Sequence, residues 1–170
     1  MLNPKQMFLR DQALLSAVIA SLQRASIYSS KASDMDRRAL SEAMRAILIE
    51  IAEQYTTPIS DDAHVKNIVR FADTISAKCY ASLVNGRLRI GIAQKALNLY
   101  LKYLWCLDQI PTPPHCPFDS RIISHLPRDV QVSWTRLDDI TTYLALVASA
   151  KRLAAEQSLA EWELHVYQGV

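Results

Sequence analysis

Cysteine is sparse in this chain. Its three cysteines, Cys79, Cys106 and Cys116, are an odd number and include no C-x-x-C pair. Cys79 and Cys106 also fall inside helical patterns. A disulfide framework is therefore excluded, and a reducing, cytoplasmic setting is expected. Long apolar runs are missing too. The stretch from Ala13 to Leu22 is too short to span a bilayer, is broken by Ser16 and Ser21, and ends in no cleavage signal, so no membrane span is expected. No repeat, low-complexity tract or linker divides the chain. Glycine is nearly absent, with three in 170 residues, and two of them, Gly86 and Gly91, lie in one stretch that runs on to Asp119.

What is present favours helix. Half of the residues are hydrophobic, enough for one core without metal or disulfide support. Ala13, Leu14, Ala17, Val18 and Leu22 recur at helical spacing, which predicts a first helix over about 11–25. Ser33 followed by Asp36 reads as a capping box ahead of the stripe Leu40, Met44, Ile47, Leu48, Ile51 and Tyr55. Pro58 ends that segment. Ser60, Asp61 and Asp62 supply a cap and first-turn acids for a third helix with Val65, Ile68, Val69, Ala72, Ile75 and Cys79 on its face.

Asn85-Gly86 makes a turn, and Arg87 to Ile90 alternates as a short strand or an extended loop would. A fourth helix is expected from near Gly91, packing through Ala93, Ala96, Leu97, Tyr100, Leu101, Leu104 and Trp105. Pro111, Pro113, Pro114 and Pro117 forbid helix until about Asp119. A short helix over 120–125 stops at Pro127. A long one follows with Leu137, Ile140, Leu144, Val147 and Ala154 on one face, and Ser158 caps the last through Tyr167. The expected fold is all-α: a single compact domain over 1–170, of six or seven helices.

Charge is uneven. Between Lys66 and Lys102 seven basic residues face one acid, Asp73, although the whole chain carries only +2. A local patch of that kind suits a phosphate-bearing partner and also suits an ordinary solvated face.

The stretch with most chemical content runs from Gly91-Ile92-Ala93-Gln94-Lys95 to Pro117-Phe118-Asp119. It resembles the hairpin and following aspartate of helix-hairpin-helix DNA glycosylases and lyases, over about 90–123. The family pattern is Gly, apolar, Gly, any residue, Lys, so Ala93 stands at the second glycine. The Lys95-to-Asp119 spacing of 24 is longer than expected for the family.

The resemblance implies a helix-hairpin-helix glycosylase-like second half, with the site inside 86–123. It implies DNA as partner. No cofactor is expected, and no metal site is read from the sequence. Lys95 would be the amine nucleophile and Asp119 the carboxylate that stabilises a cationic sugar. Backbone N–H groups at Gly91, Ala93 and Gln94, with Arg87, Arg89 and Lys102, would hold phosphates. Tyr100, Tyr103, Trp105, Phe118 and Trp134 are the candidates for a pocket that takes an extruded base.

The pattern Asn98-x-Tyr100-x-Lys102-Tyr103 belongs to no glycosylase signature. With Gly91, Gln94, Lys95, Pro114-His115, Pro117, Asp119-Ser120 and Glu161-Trp162-Glu163, it also looks like a set of small uncharacterised bacterial proteins, which implies a bacterial or phage origin.

Other constellations read as structural. His115 and Cys116 with Cys106 and His125 lack the spacing of a zinc site. Asp138-Asp139 and Glu161-Trp162-Glu163 read as acids that compensate helix dipoles. Ser120 has no histidine at triad spacing. The competing reading is a non-enzymatic helical protein that docks a partner protein or its own copy, with Lys95 an exposed helix residue and Asp119 an N-cap.

Overall fold

The structure, a computed structural model, describes residues 3–169. It contains α1 (Pro4–Leu22), α2 (Asp34–Ala52), α3 (Asp61–Lys78), α4 (Ile90–Cys106), α5 (Ser120–Ser124), α6 (Ile140–Ala154) and α7 (Leu159–Gln168). Among the described residues there is no strand, only an isolated bridge between Tyr28 and Leu83. The expected single all-α domain forms, with seven α-helices among the described residues where six or seven were expected. None of these helices is long and apolar enough to cross a membrane.

Most helix starts follow the local chemistry. Ser33 with Asp36 forms the expected capping box, Ser60 caps α3, and Ser158 with Glu161 boxes the start of α7. The first helix begins seven residues before the expected Asp11 and ends three before Ala25. Asn3 and Gln6 make a capping box around Pro4 at the first helical position, a start signal that lies ahead of the apolar stripe. Residues 87–89 form an extended loop with no partner strand.

The helix α6 buries Tyr143, Leu146, Val147, Ala150 and Ala154. The face expected for it is thus partly wrong. Leu144 points to solvent, Ile140 is half-buried, and Leu137 is buried ahead of the helix. Tyr143 replaces Leu144 at the core because its hydroxyl finds buried partners, which lets a polar tip go inside.

The helix α4 is the axis of the fold. Twelve of its 17 residues are buried, and α1, α2, α3 and α6 all pack on it. A helix apolar nearly all round is one surrounded by others. Its entry is tight. A β-carbon added to Gly91 would lie 1.8 Å from the Trp134 carbonyl oxygen, and the Gly91 N–H donates to the Leu137 carbonyl at 2.8 Å. Gly91 thus admits the 134–137 segment against the helix start. Gly91→Ala is expected to lower stability by about 2–3 kcal/mol, read as a shift in the urea midpoint. An unchanged midpoint would show that the segment can move away freely.

Polar side chains on α4 fix the proline-rich loop. Gln94 clamps Phe118 at two points, donating to its carbonyl (2.8 Å) and accepting its N–H (3.1 Å). One turn on, Asn98 donates to the Cys116 carbonyl at 2.9 Å and to the Tyr143 hydroxyl at 3.2 Å. A loop with four prolines has few N–H groups of its own to order it, so these side chains do that work.

Asn98 also joins a longer buried chain. Its amide oxygen can only accept, so His64 Nε2 donates to it (2.8 Å) and His64 Nδ1 accepts from the Tyr55 hydroxyl (2.7 Å). The Tyr143 hydroxyl donates in turn to His115 Nδ1 (2.7 Å), which leaves His115 Nε2 facing Asp61 at 3.6 Å. Asp61 is exposed and pairs with Lys151.

Candidate functional site

Lys95 and Asp119 meet. Gln94 holds Phe118, so the next residue along each segment is brought into register, and Lys95 Nζ lies 4.0 Å from Asp119 Oδ2. That separation is an ion-pair contact at its outer limit rather than a hydrogen bond. The other carboxylate oxygen, Oδ1, caps α5 by accepting the N–H groups of Arg121 and Ile122 at 3.0 and 3.1 Å. Asp119 thus fills the expected N-cap role and still presents one oxygen to the amine.

The amine is largely desolvated. The Lys95 side chain is 12% exposed and its Nζ lies 4.0 Å from the centroid of the Trp134 ring. Burial pushes its pKa below the usual lysine range; Asp119 opposes the shift and Arg24 adds to it. An amine in that state carries a larger neutral fraction at neutral pH than an exposed lysine.

Two adjoining hollows open on the pair. One, of about 520 Å³, is lined by Leu99, Lys102, Tyr103, Glu163, Leu164 and Tyr167 among others. The second, of 450 Å³, is lined by Gln23, Arg24, Ser120, Arg121 and Trp134. Lys95, Asp119, Tyr167 and Ala20 belong to both. At the wall of the first hollow, Lys102 Nζ meets Glu163 Oε2 at 2.6 Å, with both residues buried. Burial raises the Glu163 pKa against the opposing effect of Lys102.

The hairpin groups expected to hold phosphates are engaged within the protein. Gly91, Ala93 and Gln94 are buried; the Gly91 N–H is spent on Leu137, the Ala93 N–H on the Arg89 carbonyl, and the Gln94 side chain on Phe118. The reason is the close approach of residues 134–137, which covers the helix start that a phosphate would need. Lys102 is buried against Glu163. Arg87 is engaged by Asp138 and Asp73, and Arg89 donates to the Ser26 carbonyl.

The base-pocket candidates separate as well. Tyr100 and Phe118 are fully buried core residues, Tyr100 accepting from Arg10 Nε at 3.2 Å. Trp105 is half-buried and lines neither hollow. Only Tyr103 and Trp134 reach the cleft. Glu163 also departs from its expected role: Glu161 serves the capping box, while Glu163 is the buried partner of Lys102.

The pattern Asn98-x-Tyr100-x-Lys102-Tyr103 now has its explanation: a loop clamp, an Arg10 acceptor, the partner of Glu163 and a cleft wall. Arg24, Arg121 and Tyr167 were invisible to sequence reasoning, because nothing local ties residues that far apart to residue 95.

Compared with family models, curated proteins and solved structures, the chain matches none.

Proposed function

We propose that the protein is an amine-dependent DNA lyase acting at abasic sites, with Lys95 as nucleophile and Asp119 as its electrostatic partner. One observation carries the reading: a desolvated lysine amine 4.0 Å from a carboxylate on the wall of an open cleft. The aldehyde C1′ of a ring-opened abasic sugar is the electrophile such an amine attacks. The C1′–N bond forms and water leaves, giving an iminium ion whose charge Asp119 balances. The free oxygen of Asp119 accepts the C2′ proton. The electron pair moves toward nitrogen and the C3′–O bond breaks with the 3′ phosphate as leaving group. Water then hydrolyses the imine and returns the amine.

DNA affinity should fall with added salt, as phosphate contacts require. Borohydride reduction in the presence of abasic-site DNA should trap a covalent adduct that Lys95→Ala abolishes. Equal background adduct from both proteins would refute the catalytic reading.

A second reading is favoured by a different observation. On α1, Met7, Phe8, Leu9, Leu15 and Ile19 are all between 36% and 61% exposed. A helix with that many exposed large side chains suits docking to another protein or a second copy. If a second copy covers it, Phe8→Ser should shift the sedimentation coefficient toward monomer with no loss of stability; a wild-type protein already monomeric at high concentration would exclude self-association.

A further inference from the structure

The hollow beside Lys95 holds more than one cation. Arg24 and Arg121 both line it, from the residues after α1 and from the first turn of α5. Arg24 has φ 61°, a left-handed conformation usually left to Gly or Asn after a helix end. A long cationic side chain held in such a backbone is the kind of local strain found at functional sites. Among the described residues Arg24 takes part in no ion pair. Arg121 is steadied by the Tyr167 ring, 4.7 Å from its guanidinium carbon, and by the Val166 carbonyl.

Away from this hollow the cations expected to follow a DNA backbone are engaged within the protein, as described for Arg87, Arg89 and Lys102. Duplex binding draws its strength from many phosphate contacts along the backbone. Two guanidinium groups beside one reactive amine instead match a single phosphate dianion held next to the reacting carbon. On the far side of Lys95, Leu99, Tyr103 and Tyr167 offer an apolar and aromatic wall for a neighbouring base.

Resting on the lyase reading, we infer that the substrate is a terminal sugar phosphate: the 5′-deoxyribose phosphate left at a nick. Its phosphate lies between Arg24 and Arg121 and its aldehyde carbon at Lys95. The reaction is the elimination given above. The C3′–O bond to the DNA breaks, the proton from C2′ goes to Asp119, and the unsaturated sugar leaves with its 5′ phosphate after water cleaves the imine. The DNA keeps a 5′ phosphate end. Free deoxyribose 5-phosphate presents the same aldehyde and phosphate, so it should occupy the same hollow.

The test is borohydride trapping on three probes: a nicked duplex ending in 5′-deoxyribose phosphate, the same duplex with that terminal phosphate removed, and free deoxyribose 5-phosphate. Wild-type protein should trap the phosphorylated duplex about tenfold or more faster than the dephosphorylated one, the scale set by charge-assisted hydrogen bonds to one phosphate. In the double variant Arg24→Asn with Arg121→Ala that preference should fall to about parity. Asn tolerates the backbone at position 24, and Arg121→Lys should restore part of the preference. No preference in the wild type, with Lys95-dependent adduct on both duplexes, would overturn the inference and leave the lyase reading intact. Adduct on the free sugar phosphate but on neither duplex would overturn the DNA reading and keep the phosphate site. No Lys95-dependent adduct on any probe would overturn both.

Discussion

Lowering the pH from 6.5 to 4 is expected to remove about 6 kcal/mol of stability, about 3 kcal/mol for each of two buried histidines. His64 and His115 stand edge to face with ring centroids 4.6 Å apart, and both are buried. Burial lowers the His64 pKa to about 3, helped by His115 and opposed by Asn98 and Asp61. Burial likewise lowers His115 to about 4, with Asp61 opposing and Lys151 assisting.

The groups that face the pair come from every neighbouring element: Tyr55 after α2, Asp61 in α3, Asn98 in α4, and Tyr143 and Lys151 in α6. Both rings are held neutral in the fold, whereas the unfolded chain takes up protons near 6.5. Stability is therefore complete above pH 6.5, declines as pH falls through that value, and levels off near pH 3–4, where the folded rings themselves protonate. The loss is of the same order as the whole stability of a typical domain, so unfolding near pH 4 is expected. Urea titrations at stepped pH measure it. His115→Gln should remove about half of the slope. A flat profile between pH 6.5 and 4.5 would mean that water reaches the rings or that Asp61, 3.6 Å from His115, offsets the burial of a charged ring.

The second large effect concerns the amine. Lys95→Met keeps the length and apolar body of the side chain while removing the nucleophile, so trapping on abasic DNA should fall at least about a hundredfold. The fold should survive, since among the described residues the amine makes no hydrogen bond, only the 4.0 Å contacts with Asp119 and the Trp134 ring. In wild-type protein the trapping rate should rise with pH as the ammonium deprotonates, and level off below the pH at which an ordinary lysine would, because burial lowers the Lys95 pKa. Circular dichroism of the variant checks the fold. Loss of trapping with an intact spectrum supports the role, and retained trapping assigns the adduct to another amine.

The helices were legible because their signals are local. Serine and aspartate caps, proline stops and the apolar stripe of α2 each act within a few residues, and the structure follows them, whereas on α3 Ile68, Ala72 and Ile75 are buried together with Phe71 and the expected Val65, Val69 and Cys79 are only half-buried. The start of α1 escaped because its capping box lies ahead of the first buried residue, Ala13. The face of α6 escaped because Tyr143 goes inside only when partners from α4 and the proline loop are supplied.

The site was half legible for the same reason. Lys95 and Asp119 stood out by type and order, but their contact depends on Gln94 gripping Phe118 across 24 residues. Gly91 had the opposite fate. Its lack of a side chain reads equally well as room for a phosphate or room for another segment of the chain, and the Trp134 carbonyl takes that room. Lys102 read as part of a basic patch because its partner, Glu163, lies 61 positions later.

In the proposed lyase a single side chain, Lys95, supplies the reactive amine. Reducing the protein with borohydride in the presence of abasic-site DNA, digesting both components and sequencing the modified peptide by mass spectrometry locates the covalent bond. A sugar remnant on Lys95, in the peptide that continues into Ala96-Leu97-Asn98, is the expected result. A remnant confined to exposed lysines such as Lys66 or Lys151, with Lys95 unmodified, would contradict it.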